Sequence, residues 1–219
     1  MHAEVEAQGH SRSVNLVAKI MKGLGIQAIS HKKFRVSTMD SNHEFPIAAN
    51  VVNRDFTAAK PNEVWLTDMT SIPTREGWLD LAAVEDLDSR RVVGWSMGTT
   101  MESRLVVDAL AVQQRFPDAG LVAHSDRGSQ YASEHDQRAL AERGITCSMS
   151  RRGNCYDNAS MESFFASLKK ELVHHEDYPT IAVARASLFE YIEVFSNRIR
   201  RHSSLGYVAP AEFESAECP

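Results

Sequence analysis

Three carboxylates have surroundings that ask for a chemical reason: Asp68 inside the apolar run EVWLTDMTSI, Asp126 at the end of GLVAHSD, and Glu162 in NASMESFFASLKKEL. An acid among apolar neighbours is costly unless it is paired or holds a cation. Met161, Phe164, Phe165, Leu168 and Leu172 follow a helical period. At about 100° per residue, Glu162 and Lys169 fall within roughly 20° of each other at the rim of that stripe. Thirty-five residues, 127–161, separate Asp126 from Glu162. Acids delivered by a first strand, a later strand end and a helix meet only if the intervening β-α-β folds them together. Such a cluster cannot stay fully ionised without a cation, because like charges raise one another's pKa. Hard oxygen ligands suit Mg²⁺ or Mn²⁺. Two such ions, about 3.5–4 Å apart, activate a nucleophile and stabilise the leaving oxygen in phosphodiester cleavage. The chemistry that fits is phosphoryl transfer on nucleic acid. Plainer readings compete: Asp68 as a turn acid, Asp126 as the start of a turn, and Glu162 with Lys169 as solvated helix surface. Spacing alone leaves both sets open.

The elements that would position these acids can be read along the chain. EVWLTDMTSI, WLDLAAVEDL and VVGWSM, separated by TREG and DSRR, predict a three-stranded antiparallel meander. ESRLVVDALAVQQRF predicts a helix, GLVAHSD a buried strand, and ASEHDQRALAERG a helix capped by Ser133 and stopped by Gly144. ITCSM is a last strand. The polar loop SRRGNCYDN leads into the Glu162 helix, and a long helix from Thr180 to about Arg201 follows. The order β-β-β-α-β-α-β-α-α predicts an α/β fold, a mixed five-stranded sheet with helices on both faces. A short helix near 11–23 precedes it, and 30–61 reads as a linker crossing the main domain. The expected division is 1–61 for the helical segment and linker, 62–203 for the core, and 204–219 for a tail that is a loop with a short terminal turn.

Composition limits the alternatives. With 219 residues, 43% hydrophobic and 24% charged, the chain can form one substantial core and a small appendage. No apolar run reaches bilayer length and MHAEVEAQGHSRS lacks the form of a signal peptide, so a cytoplasmic protein with no membrane contact is expected. Cys147, Cys155 and Cys218 show no zinc spacing and read as free thiols, with Cys147 in a strand. The net charge of −5 speaks against broad attraction to nucleic acid, yet RR at 151–152, KK at 169–170 and RIRRH at 198–202 are basic patches. His124 is expected to pack or hydrogen-bond at a strand end.

The strings HSDRGSQYAS (124–133), SMSRRGNCYDNASMESFFASLKKEL (148–172) and NRIRRHSSLGYVAP (197–210) closely resemble the catalytic protein of bacterial insertion sequences, a second-reading-frame product. WLTDMTSIPTREGW (65–78) and DLDSRRVVGWSM (86–97) are similar too, so the resemblance covers about 42–215. It implies an integrase catalytic core of the DDE superfamily with a ribonuclease-H-like fold. Asp68, Asp126 and Glu162 would be the catalytic, metal-binding triad, using Mg²⁺ with Mn²⁺ as a substitute. Terminal inverted repeats would be cleaved and joined to target DNA by 3′-hydroxyl attack, with no covalent protein intermediate. Lys169 would touch DNA near the cut. Arg151, Arg152, Asn154 and Asn158 would be phosphate contacts, and Arg198, Arg201 and His202 either the same or a basic helix end. The resemblance further implies a homo-oligomer when two ends are synapsed, and nucleoid association when active. Relatives carry a helix-turn-helix-like unit before the core, so end recognition is expected from an upstream-frame partner or a fused form. A ribonuclease-H-like nuclease and a non-catalytic transposition regulator are the alternatives; strand transfer with pre-cut ends separates the first, and the presence of all three acids argues against the second.

Where such proteins typically carry an aromatic residue, this chain has Ser71, Asp80, Asp88, Asp136 and Ser196. On exposed positions such exchanges raise solubility. On buried ones they open cavities costing about 3–5 kcal/mol each. The expectation is a variant altered for solubility.

Overall fold

β-Branched and aromatic residues separated by turn residues make the first three strands of the computed structural model, which describes residues 1–27, 43–111, 120–151 and 155–217. β1 (Val64–Thr74) and β2 (Gly77–Asp86) are antiparallel, joined at Thr74↔Gly77, where Gly77 takes φ 126°. That conformation favours a residue without Cβ. β3 (Val92–Gly98) pairs with β2 across a turn organised by the buried Asp86. Its Oδ1 accepts from the N–H groups of Asp88 and Ser89, and its Oδ2 from that of Asn62. α3 (Ser103–Ala111) then crosses to β4 (Val122–Ser125), and α4 (Glu134–Glu142) to β5 (Thr146–Met149). Ser133 caps α4 through its Oγ, which accepts from the Asp136 N–H, and Gly144 follows the helix at φ 66°. The sheet order is β3-β2-β1-β4-β5, with β4 parallel to both β1 and β5.

Each sheet face carries its own apolar layer. Leu66, Leu79, Leu81 and Ala83 pack with Met161, Phe164, Phe165 and Leu168 of α5 (Ala159–Glu171) and with Leu188 of α6 (Ile181–Glu190). Trp65, Ala82 and Val84 pack with Leu105, Val106 and Leu110 of α3 and Leu140 of α4. Neighbouring strand residues go to opposite layers because side chains alternate along a strand. β2 is buried continuously from Leu79 to Asp86, as a central strand covered on both faces must be.

The structure corrects several expectations. A six-residue helix, α1 (His2–Ala7), precedes α2 (Val14–Gly23); with Val5 as its one large apolar residue it has no periodic stripe to detect. Met1–Arg35 and Val36–Pro219 are separate compact units. Within the second, residues 43–61 form no regular element, but Val52 is buried and Phe56 and Ala58 pack on the core. The expected long helix runs as α6 to Glu190, widens into a π-helical segment, Tyr191–Ser196, and continues to Arg198. The tail forms a full helix, α7 (Pro210–Glu217), whose Glu214 pairs with Arg91 at 2.8 Å. Residues 112–116 of the second predicted helix, ESRLVVDALAVQQRF, lie outside the described residues. Cys147 is a half-buried free thiol in β5.

The positions that lack aromatics are not a surface set. Asp80, Asp136 and Ser196 are buried, and Ser71 and Asp88 half-buried. Ser71 faces Asp80 across β1 and β2 and donates to its carboxylate at 2.6 Å. Exchanges at buried sites do not alter an exposed surface, so a solubility rationale fails.

Candidate active site

Parallel strands deliver their C-terminal ends to one edge, and there two of the acids stand side by side. Continuing the β1/β4 register two residues past Leu66↔His124 sets Asp68 level with Asp126. Each carboxylate is held by a nearby backbone donor. Asp68 Oδ1 accepts from the Met69 N–H at 2.8 Å, and Asp126 Oδ1 from the Gly128 N–H at 2.8 Å. A Cβ on Gly128 would stand 3.0 Å from that Asp126 oxygen, so a residue without a side chain permits the approach.

α5 brings the third acid because its apolar face is buried and its rim is not. Met161, Phe164, Phe165 and Leu168 are 0–6% exposed, each burial stabilising by about 2 kcal/mol, while Glu162 and Lys169 are half-buried. Asn158, at the start of α5, donates from Nδ2 to the carbonyl of Thr67 at 3.3 Å, tying the helix to the residue before Asp68. Its Oδ1 is buried without a hydrogen-bond partner.

The electrostatics report the convergence. Burial, then Asp126, and more weakly Glu162, push the Asp68 carboxyl up to about 7, against the Met69 N–H and the Lys169 ammonium. Burial raises Asp126, opposed by the Gly128 N–H and by His43. Burial also raises Glu162 and lowers Lys169, the latter opposed by Asp68. Glu162 is near enough to act weakly on Asp68. Among the described residues, no three His, Cys, Asp or Glu side chains are close enough to hold a metal ion as they stand.

The other residues singled out in the sequence are placed as follows. Lys169 lies beside Asp68 on the Glu162 side of α5. Arg151 is bound to Asp157, and Asn158 is buried with its amide turned to Thr67 rather than to solvent. Arg152 and Asn154 lie outside the described residues. Arg198 is exposed. Arg201 and His202 line an open pocket of about 500 Å³ with Arg90, Arg200, Ser160 and Ser196. At about 100° per residue, the α5 side that contributes Ser160 to this pocket is opposite Glu162. Burial, Arg200 and Arg90 lower His202 to about 4, so it is a neutral imidazole there. His124 is a hydrogen-bonding core histidine, its Nδ1 2.8 Å from Ser148 Oγ and its Nε2 3.2 Å from Ser150 Oγ.

Asp157 lies in a polar loop, and nothing in the sequence marks it. Its side chain is fully buried and accepts from Asn50, Arg54 and Arg151. Arg54 and Asn50 lie 103 and 107 residues from it, beyond the reach of any local pattern.

Comparison with known proteins gives the family and the fold. Residues 58–155 and 143–210 each match an integrase core domain family. The chain is 44% identical over 200 residues to the insertion element IS600 uncharacterized 31 kDa protein of Shigella sonnei, covering 90% of this chain and 73% of that protein. It is 42% identical over 214 residues to transposase InsF for insertion sequence IS3A of Escherichia coli (strain K12), covering 97% and 74%. In fold it is similar to a chain of the simian T-cell lymphotropic virus intasome in complex with PP2A regulatory subunit B56 gamma. The TM-score is 0.59 and the identity 16%, covering 98% of this chain and 74% of that one. The HTLV-2 integrase catalytic core domain in complex with magnesium, in its trimeric form, gives a TM-score of 0.53 at 16% identity, covering 72% and 99%. Among the described residues no helix is long and apolar enough to cross a membrane.

Proposed function

The chain belongs to the insertion-sequence transposases that carry an integrase core domain, and on that premise we propose that Asp68, Asp126 and Glu162 are the acids at which it cuts and joins DNA. It is a DNA transposase, a polynucleotidyl transferase with a ribonuclease-H-like core. The observation that supports the assignment is the parallel pairing of β1 with β4, which, carried two residues on from Leu66↔His124, sets Asp68 beside Asp126, with the Glu162 helix tied to the Thr67 carbonyl through Asn158.

The donor set suits a hard divalent cation, Mg²⁺ with Mn²⁺ as a substitute, because every ligand is oxygen. Asp68 and Asp126 each commit one oxygen to a backbone N–H, and the buried Oδ1 of Asn158 adds an acceptor without a donor. Glu162 would be the third carboxylate of the set. Such an ion, when bound, supplies the charge that activates an attacking hydroxyl and stabilises the leaving oxygen. The protein's own residues hold and orient. The buried face of α5 fixes the backbone of Glu162, the donors of Met69 and Gly128 fix the aspartates, and Lys169 offers a cation to the adjoining phosphate.

The reaction in this reading is cleavage at the terminal inverted repeats, then strand transfer by a DNA 3′-hydroxyl. Synapsis of two ends requires more than one copy of the chain, and an upstream-frame or fused DNA-binding unit supplies end recognition. The test is Mn²⁺-supported cleavage of a terminal-repeat oligonucleotide by this chain and by Glu162→Gln. A fall of at least ~100-fold is expected, the scale on which removing one group that stabilises developing charge acts. Equal rates would remove Glu162 from the mechanism.

A further inference from the structure

The pocket behind α5 encloses about 500 Å³, the size of a small-molecule site rather than of a packing defect. Ser160, Ser163, Phe164 and Ser167 stand at i, i+3, i+4 and i+7 of α5, so one stripe of the helix forms a wall. Glu162 lies on the opposite side of that helix. Facing the stripe are two recessed guanidiniums, Arg90 with its side chain 20% exposed and Arg200 with 24%.

The two arginines differ in what they have left to give. Arg200 is engaged by both oxygens of Glu171 and by Ser167 Oγ at 3.3 Å. Arg90 donates from Nη1 to Ser160 Oγ and stands 3.8 Å from Glu85 Oε1, beyond hydrogen-bond reach. A guanidinium carries several more N–H donors than that one bond uses, and among the described residues they meet no protein acceptor. Ser196 is 2% exposed and lines the same space, and its hydroxyl has no hydrogen-bond partner among the described residues. A buried serine that faces a cavity instead of a protein acceptor is ready to donate to an occupant or accept from it. The field beside it favours an anion: after burial, Arg200 and Arg90 are what lower His202, and Glu171 opposes them more weakly.

We propose that this pocket binds a sugar phosphate, a small phosphate monoester whose phosphate meets the Arg90 fork and whose hydroxyls meet Ser196 and the serines of α5. A planar guanidinium matches phosphate oxygens, and serine hydroxyls pair with sugar hydroxyls as donors and acceptors alike. Phe164 and Tyr191, each 6% exposed, offer ring surface to the apolar side of the sugar. Duplex DNA fits less well, because its phosphates lie on the outside of a broad cylinder while Arg90 is recessed. The site lies across α5 from Glu162 and stands independently of the transposase reading.

The experiment is isothermal titration calorimetry of the full chain with ribose 5-phosphate, at fixed ionic strength and without divalent metal. Saturable binding is expected. Arg90→Gln should weaken it at least ~10-fold, the scale of a hydrogen bond to a charged group. Arg90→Lys keeps the charge without the fork and should recover part of the loss. Ser196→Ala should weaken binding roughly 2- to 10-fold, and Ser196→Tyr, which occupies the space, should abolish it. Only variants that melt in one cooperative transition are compared; if the tyrosine variant does not fold, the Arg90 variants and Ser196→Ala decide. Ribose and inorganic phosphate should each bind more weakly than the two joined. Inorganic phosphate matching ribose 5-phosphate would leave a bare anion site and overturn the sugar phosphate. Displacement of the ligand by a duplex oligonucleotide at equal phosphate concentration would assign the site to DNA and overturn it too. So would no saturable binding by the parent chain, or unchanged affinity in Arg90→Gln and both Ser196 variants.

Discussion

Position 136 places an acid where 2% of the residue is exposed, and its Oδ1 has no hydrogen-bond partner. Burial pushes this carboxyl up to about 7. A raised pKa in the fold means that the folded protein holds the proton more tightly than the unfolded chain does. The carboxyl is therefore tolerated below pH 4, and its cost grows as pH rises towards 7, to on the order of 3 kcal/mol. Asp136→Asn should remove that pH dependence. In chemical denaturation the stability difference between the variant and the parent chain should widen in the variant's favour from pH 4 to pH 7. Parallel pH profiles would show that Asp136 ionises without penalty. The residue scale also explains how the acids were found. Asp68 could be picked out because an acid in an apolar strand is rare and costly. Asp157 could not, because a polar loop is an ordinary place for aspartate and its partners are distant in sequence.

Among elements, the π-helical segment has a structural use. By widening the helix after α6 it turns Ser196 and Asn197 inward, both 2% exposed. Asn197 then docks on β3, its Oδ1 accepting from the Val92 N–H at 2.9 Å and its Nδ2 donating to the Val92 carbonyl at 3.0 Å. One amide thus supplies both bonds that a neighbouring strand would give to the sheet edge. Asn197→Ala should lower stability by about 1–3 kcal/mol, since a buried donor and acceptor lose their partner. Amide exchange at Val92 should speed up with it. An unchanged melting temperature would mean that water replaces the side chain. The expected long helix from Thr180 to about Arg201 is present, since the helical run continues past Glu190 to Arg198, but the apolar pattern of Tyr191 and Ile192 does not encode the extra residue per turn; β3 selects it.

Across the whole molecule, stretches far apart in sequence meet at the pocket behind α5. Arg90 from the β2–β3 turn, Ser160 and Ser167 of α5, and Arg200 to Ser204 surround about 500 Å³, with Ser196 in its wall. Arg200 is bound to Glu171 at 2.9 Å, and Ser160 donates to the buried Glu85 at 2.6 Å, so ion pairs and hydroxyls hold the walls together with the core rings of Phe164 and Tyr191. Space of this kind forfeits contacts in a protein interior. Ser196→Tyr should fill part of it and raise global stability by roughly 1–2 kcal/mol in a single cooperative transition. A lower melting temperature would mean that the walls cannot accept a ring and that the pocket is maintained by its polar network.

The sequence alone determined the sheet and the helices on both its faces, because periodicity, turn residues and apolar context are local and leave a local trace; the three acids stood out from their competitors only through the resemblance of the strings around them. It did not determine how the acids stand to one another. The level register of Asp68 with Asp126 and the capture of Arg54 and Arg151 by Asp157 arise from strand pairing and from contacts spanning up to about a hundred residues. Such contacts are set by burial and charge in three dimensions. Only the folded chain could decide that Arg151 reaches solvent already gripped by an anion, while Arg201 and His202 face a pocket on the other side of the helix that carries Glu162.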